Sequence, residues 1–221
     1  NQKEKFAYLC PHWNLKLEKG TVLPVICYTN CEDAELFVNG RSFGMKSKGF
    51  PCYGMTERYG HFDRYRRPAN TDDLFLSWDV PYEPGKIEVV GYHDGKEVCR
   101  YNVETTGEAA AIKLTVDKTS VDADGRSIVQ AEVRIVDNEG RLVFDACPEL
   151  DFTLEGDAEI IGIDNGDPAC HEQWKETKGR HAFNGMAYAV IRAGQNKGEL
   201  KLTVTSSDNT LTNASVTIQV G

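Results

Sequence analysis

Apolar and polar residues alternate along most of this chain, and a period of two fits half-buried β-strands and not amphipathic helices. The pattern is plain at Leu74, Leu76, Trp78 and Val80, and it returns at Cys99, Tyr101 and Val103 and at Ile112, Leu114 and Val116. It continues at Val129, Ala131, Val133 and Ile135, at Leu200, Leu202 and Val204, and at Ala214, Val216, Ile218 and Val220. Asn39-Gly40 and Asp94-Gly95 stand between such runs, and both pairs tolerate the positive φ angles of a two-residue type I′ hairpin. Short strands with regular turn signals and no sustained 3.6-residue period predict an all-β chain. Its 221 residues suit two tandem immunoglobulin-like antiparallel β-sandwiches of roughly 100 residues each. The boundary is expected near Thr105-Thr106-Gly107-Glu108, giving units 1–107 and 108–221. A single short helix is predicted over 168–177, with Asp167 capping its first turn and Pro168 at its first position.

Composition narrows the function classes. Hydrophobic residues at 40% and charged residues at 27% describe a globular chain with enough apolar surface to build cores. No apolar run approaches the roughly 20 residues of a membrane-spanning helix. A formal charge of -9 disfavours nucleic acid and anionic lipid as partners. The seven cysteines are an odd number, so at least one is unpaired within the chain. Cys27 and Cys31 lack the second close Cys or His pair that a zinc site needs, and buried free thiols explain them better. No cofactor and no metal site is expected. Asp122, Asp124 and Gly125 begin like a calcium loop, but the twelfth position is Val133 where a bidentate Glu is required, and turn formation explains them better.

Three phrases succeed one another in the first half: Pro11-His12-Trp13-Asn14, then Glu35-Leu36-Phe37-Val38-Asn39-Gly40-Arg41-Ser42-Phe43-Gly44, then Leu76-Ser77-Trp78-Asp79-Val80-Pro81-Tyr82-Glu83-Pro84-Gly85. Their order resembles the region after the catalytic barrel in bacterial family 2 glycoside hydrolases of the β-galactosidase kind. Ala123-Asp124-Gly125, Asn165-Gly166-Asp167-Pro168 and Ala182-Phe183-Asn184-Gly185 resemble the last sandwich module of the same enzymes. The resemblance implies a noncatalytic C-terminal region, because the two catalytic glutamates of that family lie in the barrel, which nothing here resembles. It implies as partners the barrel and sandwich domains of the same polypeptide, with oligomerisation through the full-length enzyme. The parent enzyme would hydrolyse a terminal β-linked sugar in the periplasm or at the cell surface of a bacterium, its export signal lying outside these residues. Two other readings stay open. One is a pair of carbohydrate-binding modules, and the other is an adhesin-type array, since the second half also resembles invasin-type immunoglobulin modules.

The candidate sites are two. The segment 46–67 carries six Lys or Arg in an otherwise acidic chain, together with Tyr53, Tyr59, Phe62 and Tyr65 beside Arg64 and Arg66. Aromatic rings with adjacent guanidinium groups can stack on sugar faces and bond hydroxyls, while the same rings can also anchor a long loop to its own or a neighbouring domain. Anchoring is the favoured reading. The resemblance places His12 and Trp13 at the hand-over from the barrel and implies interdomain packing, with the indole donating a hydrogen bond. No catalytic residue is assigned, since no nucleophile, base and orienting group occur in a recognisable pattern.

Overall fold

A computed structural model describes residues 4–47, 75–173, 175 and 178–221. The described chain is all-β and divides into two compact units, Asn1–Thr105 and Thr106–Gly221.

The first unit holds β1 (Ala7–Cys10), β2 (Val22–Thr29), β3 (Asp33–Val38), β4 (Arg41–Ser47), β5 (Leu76–Pro81), β6 (Lys86–His93) and β7 (Lys96–Glu104). They form a three-stranded sheet β1-β2-β5 and a four-stranded sheet β4-β3-β6-β7, antiparallel throughout. Alternation does what the residue pattern requires. Leu76, Trp78 and Val80 point inward from β5, and Ala34, Leu36 and Val38 do so from β3. The two hairpin pairs turn with positive φ at both residues, 50° and 79° at Asn39-Gly40 and 49° and 69° at Asp94-Gly95. On one side β4 and β5 are joined by Trp78, whose Nε1 donates to the Gly44 carbonyl at 3.0 Å while the Lys46 ammonium lies 5.7 Å from its ring.

The second unit holds β8 (Ala111–Val116), β9 (Ser120–Val121), β10 (Ile128–Val136), β11 (Glu149–Glu155), β12 (Ala158–Asp164), β13 (Gly179–His181), β14 (Met186–Ala193), β15 (Gly198–Ser206) and β16 (Ala214–Val220). One sheet runs β12-β14-β10-β8 and the other β13-β11-β15-β16-β9, and β9 pairs with β16 in parallel. Val129, Ala131, Val133 and Ile135 share one core with Phe152, Ile191, Leu200, Leu202 and Val204. Each fully buried Val, Leu or Phe of this kind contributes about 1.5–3 kcal/mol relative to exposure, so this core outweighs any surface pair in the unit.

The helix expected over 168–177 does not form among the described residues. Asp167 does cap a turn, its Oδ1 accepting from the Ala169 amide at 2.9 Å and its carbonyl from the Cys170 amide at 3.1 Å. The chain then leaves the helical path because the Glu172 side chain and carbonyl are taken by His181 and Arg180 of β13. Tertiary hydrogen bonds override a local capping signal in a segment too short to propagate.

Candidate functional site

The phrases that stand out in the first half meet at one end of the first unit. Trp13 is fully buried, its Nε1 donates to the Glu83 carbonyl at 2.9 Å, and its ring packs edge-on against Tyr82 at 5.2 Å. The Trp13 carbonyl accepts from the Thr105 hydroxyl at 2.9 Å and the Tyr82 hydroxyl at 3.3 Å. Asn39, in the left-handed region that Asn tolerates, accepts from the Lys86 amide at 2.8 Å and donates to the Pro84 carbonyl at 3.1 Å. Gly85, with φ of 133°, lies directly beneath this side chain, where any Cβ would strike it. The indole of Trp13 is buried and hydrogen-bonded inside its own unit. His12 is half-buried, with its Nδ1 accepting from the Asn14 amide at 3.2 Å.

Tyr53, Tyr59, Phe62, Tyr65, Arg64 and Arg66 lie outside the described residues. A different aromatic group emerges on the outer face of the sheet β1-β2-β5. Tyr8 and Tyr28 are directly registered across β1 and β2 and are 52% and 45% exposed. Phe75, just before β5, meets Tyr28 at 6.0 Å, and Tyr101 of β7 meets Tyr8 at 5.1 Å. The result is a row Tyr101–Tyr8–Tyr28–Phe75. The signal for it was present in the sequence, since Ala7, Leu9, Val25 and Cys27 take the inner positions and leave tyrosines where alternation puts polar residues. Burial, reinforced by the Tyr8 phenol beside it, pushes the Tyr101 hydroxyl above its ordinary pKa. The rings are not coplanar: neighbours are inclined at 38° and 65°. Such a ridged apolar surface suits interdigitating side chains better than the flat face of a sugar ring.

The conspicuous carboxylates of the second unit are engaged in loop structure. Asp124 Oδ1 accepts from the amides of Arg126 and Ser127, and these bonds lower its pKa. Asp164 does the same with Asn165 and Gly166. Asp157 closes the turn at Gly194 by accepting from the amide and side chain of Asn196. Glu172 is held below the usual carboxylate range chiefly by its hydrogen bond to the His181 ring. Buried Arg180 donates to the Glu172 carbonyl at 3.2 Å and lies 3.4 Å from Asp164. Cys170 is close by, but its thiol faces Glu172 at 3.6 Å, so a carboxylate and not an imidazole stands against the sulfur.

Among the described residues one group has metal-ligand spacing: Glu32, His93 and Asp94. His93 Nδ1 is already shared between Glu32 at 3.1 Å and the Lys5 ammonium at 3.3 Å, and Glu32 also accepts from the Asp94 amide at 3.0 Å. These contacts tie the β6–β7 hairpin to the chain ahead of β3 and to Lys5.

Residues 112–217 match the glycoside hydrolase family 2 C-terminal domain 5, and residues 20–99 match a domain of unknown function, DUF4982. The chain is 35% identical over 204 residues to the β-galactosidase BoGH2A of Bacteroides ovatus, covering 92% of this chain and 21% of that protein. It is 30% identical over 157 residues to a β-glucuronidase of Formosa agariphila, covering 70% of this chain and 14% of that protein. A crystal structure of a glycosyl hydrolase family 2 member from Bacteroides cellulosilyticus superposes on all of this chain with a TM-score of 0.84 at 26% identity, over 29% of that chain. The chain therefore spans only 21% and 14% of the length of these two relatives.

Proposed function

The chain belongs to glycoside hydrolase family 2, whose C-terminal domain 5 it carries at residues 112–217, and we propose that it is a noncatalytic accessory region of such an enzyme. It buttresses the catalytic barrel of the same polypeptide, with the rim of the substrate pocket and the oligomer contacts as the places where that support is felt. The observation that carries the reading is the match of these two sandwich units to the C-terminal part of much longer glycosidases. Two features of the structure agree with it. The distinctive carboxylates cap turns or pair with cations in loops, and the ridged aromatic row offers an apolar face of the kind that docks protein. The parent enzyme then hydrolyses a terminal β-galactoside or β-glucuronide, and a bacterial periplasm or cell surface is its location.

The test is turnover. The isolated chain is expected to leave chromogenic β-galactosides and β-glucuronides intact, and hydrolysis abolished by a point change within these residues would overturn the proposal. The exposure of Tyr8 and Tyr28 leaves a second, less favoured reading, a carbohydrate-binding surface. Titration with galactose-containing oligosaccharides separates the two, because saturable binding lost in Tyr28→Ala with the fold intact belongs to the second alone.

A further inference from the structure

We propose that Cys31 and Cys99 are a disulfide-forming pair that fastens the first unit when the protein meets a small-molecule or enzymic disulfide donor. Cys31 lies at the corner where the chain passes from β2 of one sheet to β3 of the other, and Cys99 lies on β7, the edge strand of the second sheet. Their sulfur atoms are 3.5 Å apart, although the residues are separated by 68 positions in the chain. A bond requires an approach of about 1.5 Å more, which side-chain rotation with a small backbone adjustment supplies.

Gly91 is what permits the contact. It is the cross-strand partner of Cys99 in the β6–β7 ladder and of Ala34 in the β3–β6 ladder. A Cβ at this position would fall 2.6 Å from the Cys99 sulfur and 2.7 Å from the Cys31 sulfur, so both thiols lean over the space that its missing side chain leaves. The Cys31 thiol also faces the Phe6 carbonyl at 3.6 Å, on the approach to β1. A bridge here would tie β7 to the corner between the sheets, next to the strand that opens the unit.

The chemistry balances as two successive exchanges. Cys99 is the more exposed of the two, so its thiolate attacks the external disulfide, forms a mixed disulfide and releases one thiolate of the donor. Deprotonated Cys31 then attacks the Cys99 sulfur, closes the internal bond and expels the second donor thiolate. Two electrons pass from the protein dithiol to the donor, which leaves as two thiols carrying the two protons. Burial pushes the Cys99 thiol up to about 11, and the neighbouring Cys31 adds to the rise. Little thiolate is present at neutral pH, so the exchange is slow and is expected to need prolonged contact or a disulfide-transfer enzyme.

The full chain is incubated with oxidised glutathione, trapped with an alkylating agent and mapped by peptide mass spectrometry. The expected result is loss of two of the seven thiols, a peptide pair linking Cys31 to Cys99, and no such loss in Cys31→Ser or Cys99→Ser. The calorimetric transition of the first unit, identified by Trp13 and Trp78 fluorescence in a Trp174→Phe background, should rise by about 10 °C on oxidation and fall back with reductant, because a ring of this length restricts the unfolded chain. Oxidation confined to Cys10, Cys52 or Cys147, with Cys31 and Cys99 still alkylated as free thiols in the wild-type chain, would overturn the proposal. So would a Cys31–Cys99 link that forms without raising that transition.

Discussion

Asp137 is a small residue on which the start of the second unit depends, and its replacement has a calculable cost. It follows directly on β10 and is 3% exposed. Its Oδ1 accepts from the amides of Glu139 at 3.0 Å and Arg141 at 2.9 Å, while Oδ2 accepts from the Gly107 amide at 3.0 Å and from the Arg141 guanidinium at 2.8 and 2.7 Å. One carboxylate thereby holds the β10 hairpin loop and the segment leading into β8. Asp137→Ala strips several buried donors of their acceptor and takes from Arg141 its buried carboxylate partner, leaving the exposed pairing with Glu139, which costs about 3–5 kcal/mol in total because the losses overlap. At about 4 °C per kcal/mol for a unit of this size, its melting transition falls by about 12–20 °C. Asp137→Asn keeps the shape but turns a donor toward Gly107 and Arg141, so it should lose more than about 2 kcal/mol. Calorimetry of the full chain, with deuterium exchange over 106–143 to assign the transition, measures both. Burial works to raise the Asp137 pKa, but the Arg141 side chain and amide and the Gly107 amide outweigh it and hold the carboxyl well below its ordinary value. Since the folded pKa is depressed, the stabilisation is complete above the unfolded value of about 3.9 and disappears as pH falls through the folded one. The wild-type advantage over Asp137→Asn should be constant from about pH 5 to 8 and shrink only below about pH 4. An Asn variant within 1 kcal/mol of wild type, or an advantage that fades near neutral pH, would refute the reasoning.

Trp78→Ala should destabilise the first unit by about 3–5 kcal/mol, since it empties a core position and orphans the Gly44 carbonyl; urea unfolding followed by Trp13 fluorescence in a Trp174→Phe background checks it. Gly91→Ala is expected to cost the same unit about 1–3 kcal/mol by crowding both sulfurs, and Cys99→Ala in the same chain should return part of that loss, so a double-mutant cycle with no coupling would contradict the packing described. Asn39→Ala should cost about 1–2 kcal/mol through its hydrogen bonds to Lys86 and Pro84 and its left-handed backbone, read from the same urea transition. Tyr28→Ala should leave unit stability within about 0.5 kcal/mol, because its ring lies on the outer face, while weakening the parent enzyme's resistance to domain dissociation in limited proteolysis.

Strand character, inward-facing residues and type I′ hairpins could all be read along the chain, because each is set by neighbours within a few positions. Alternation dictates which side of a strand is apolar, and Asn-Gly or Asp-Gly supplies the backbone freedom a tight hairpin requires. The predicted helix at 168–177 is absent from the described residues of that span for a reason that no local pattern contains: Glu172 is recruited by Arg180 and His181. Nor could spacing reveal that Trp13, Glu83 and Thr105 close one knot, that Asp137 reaches back to Gly107, or that Cys31 and Cys99 meet over Gly91. Those pairings span from 30 to 92 positions, and their geometry exists only after two sheets have packed. The order of residues settles which faces must be buried; which side chains then touch across the buried seam depends on strand order and sheet pairing, since many distant partners satisfy the same alternation equally well.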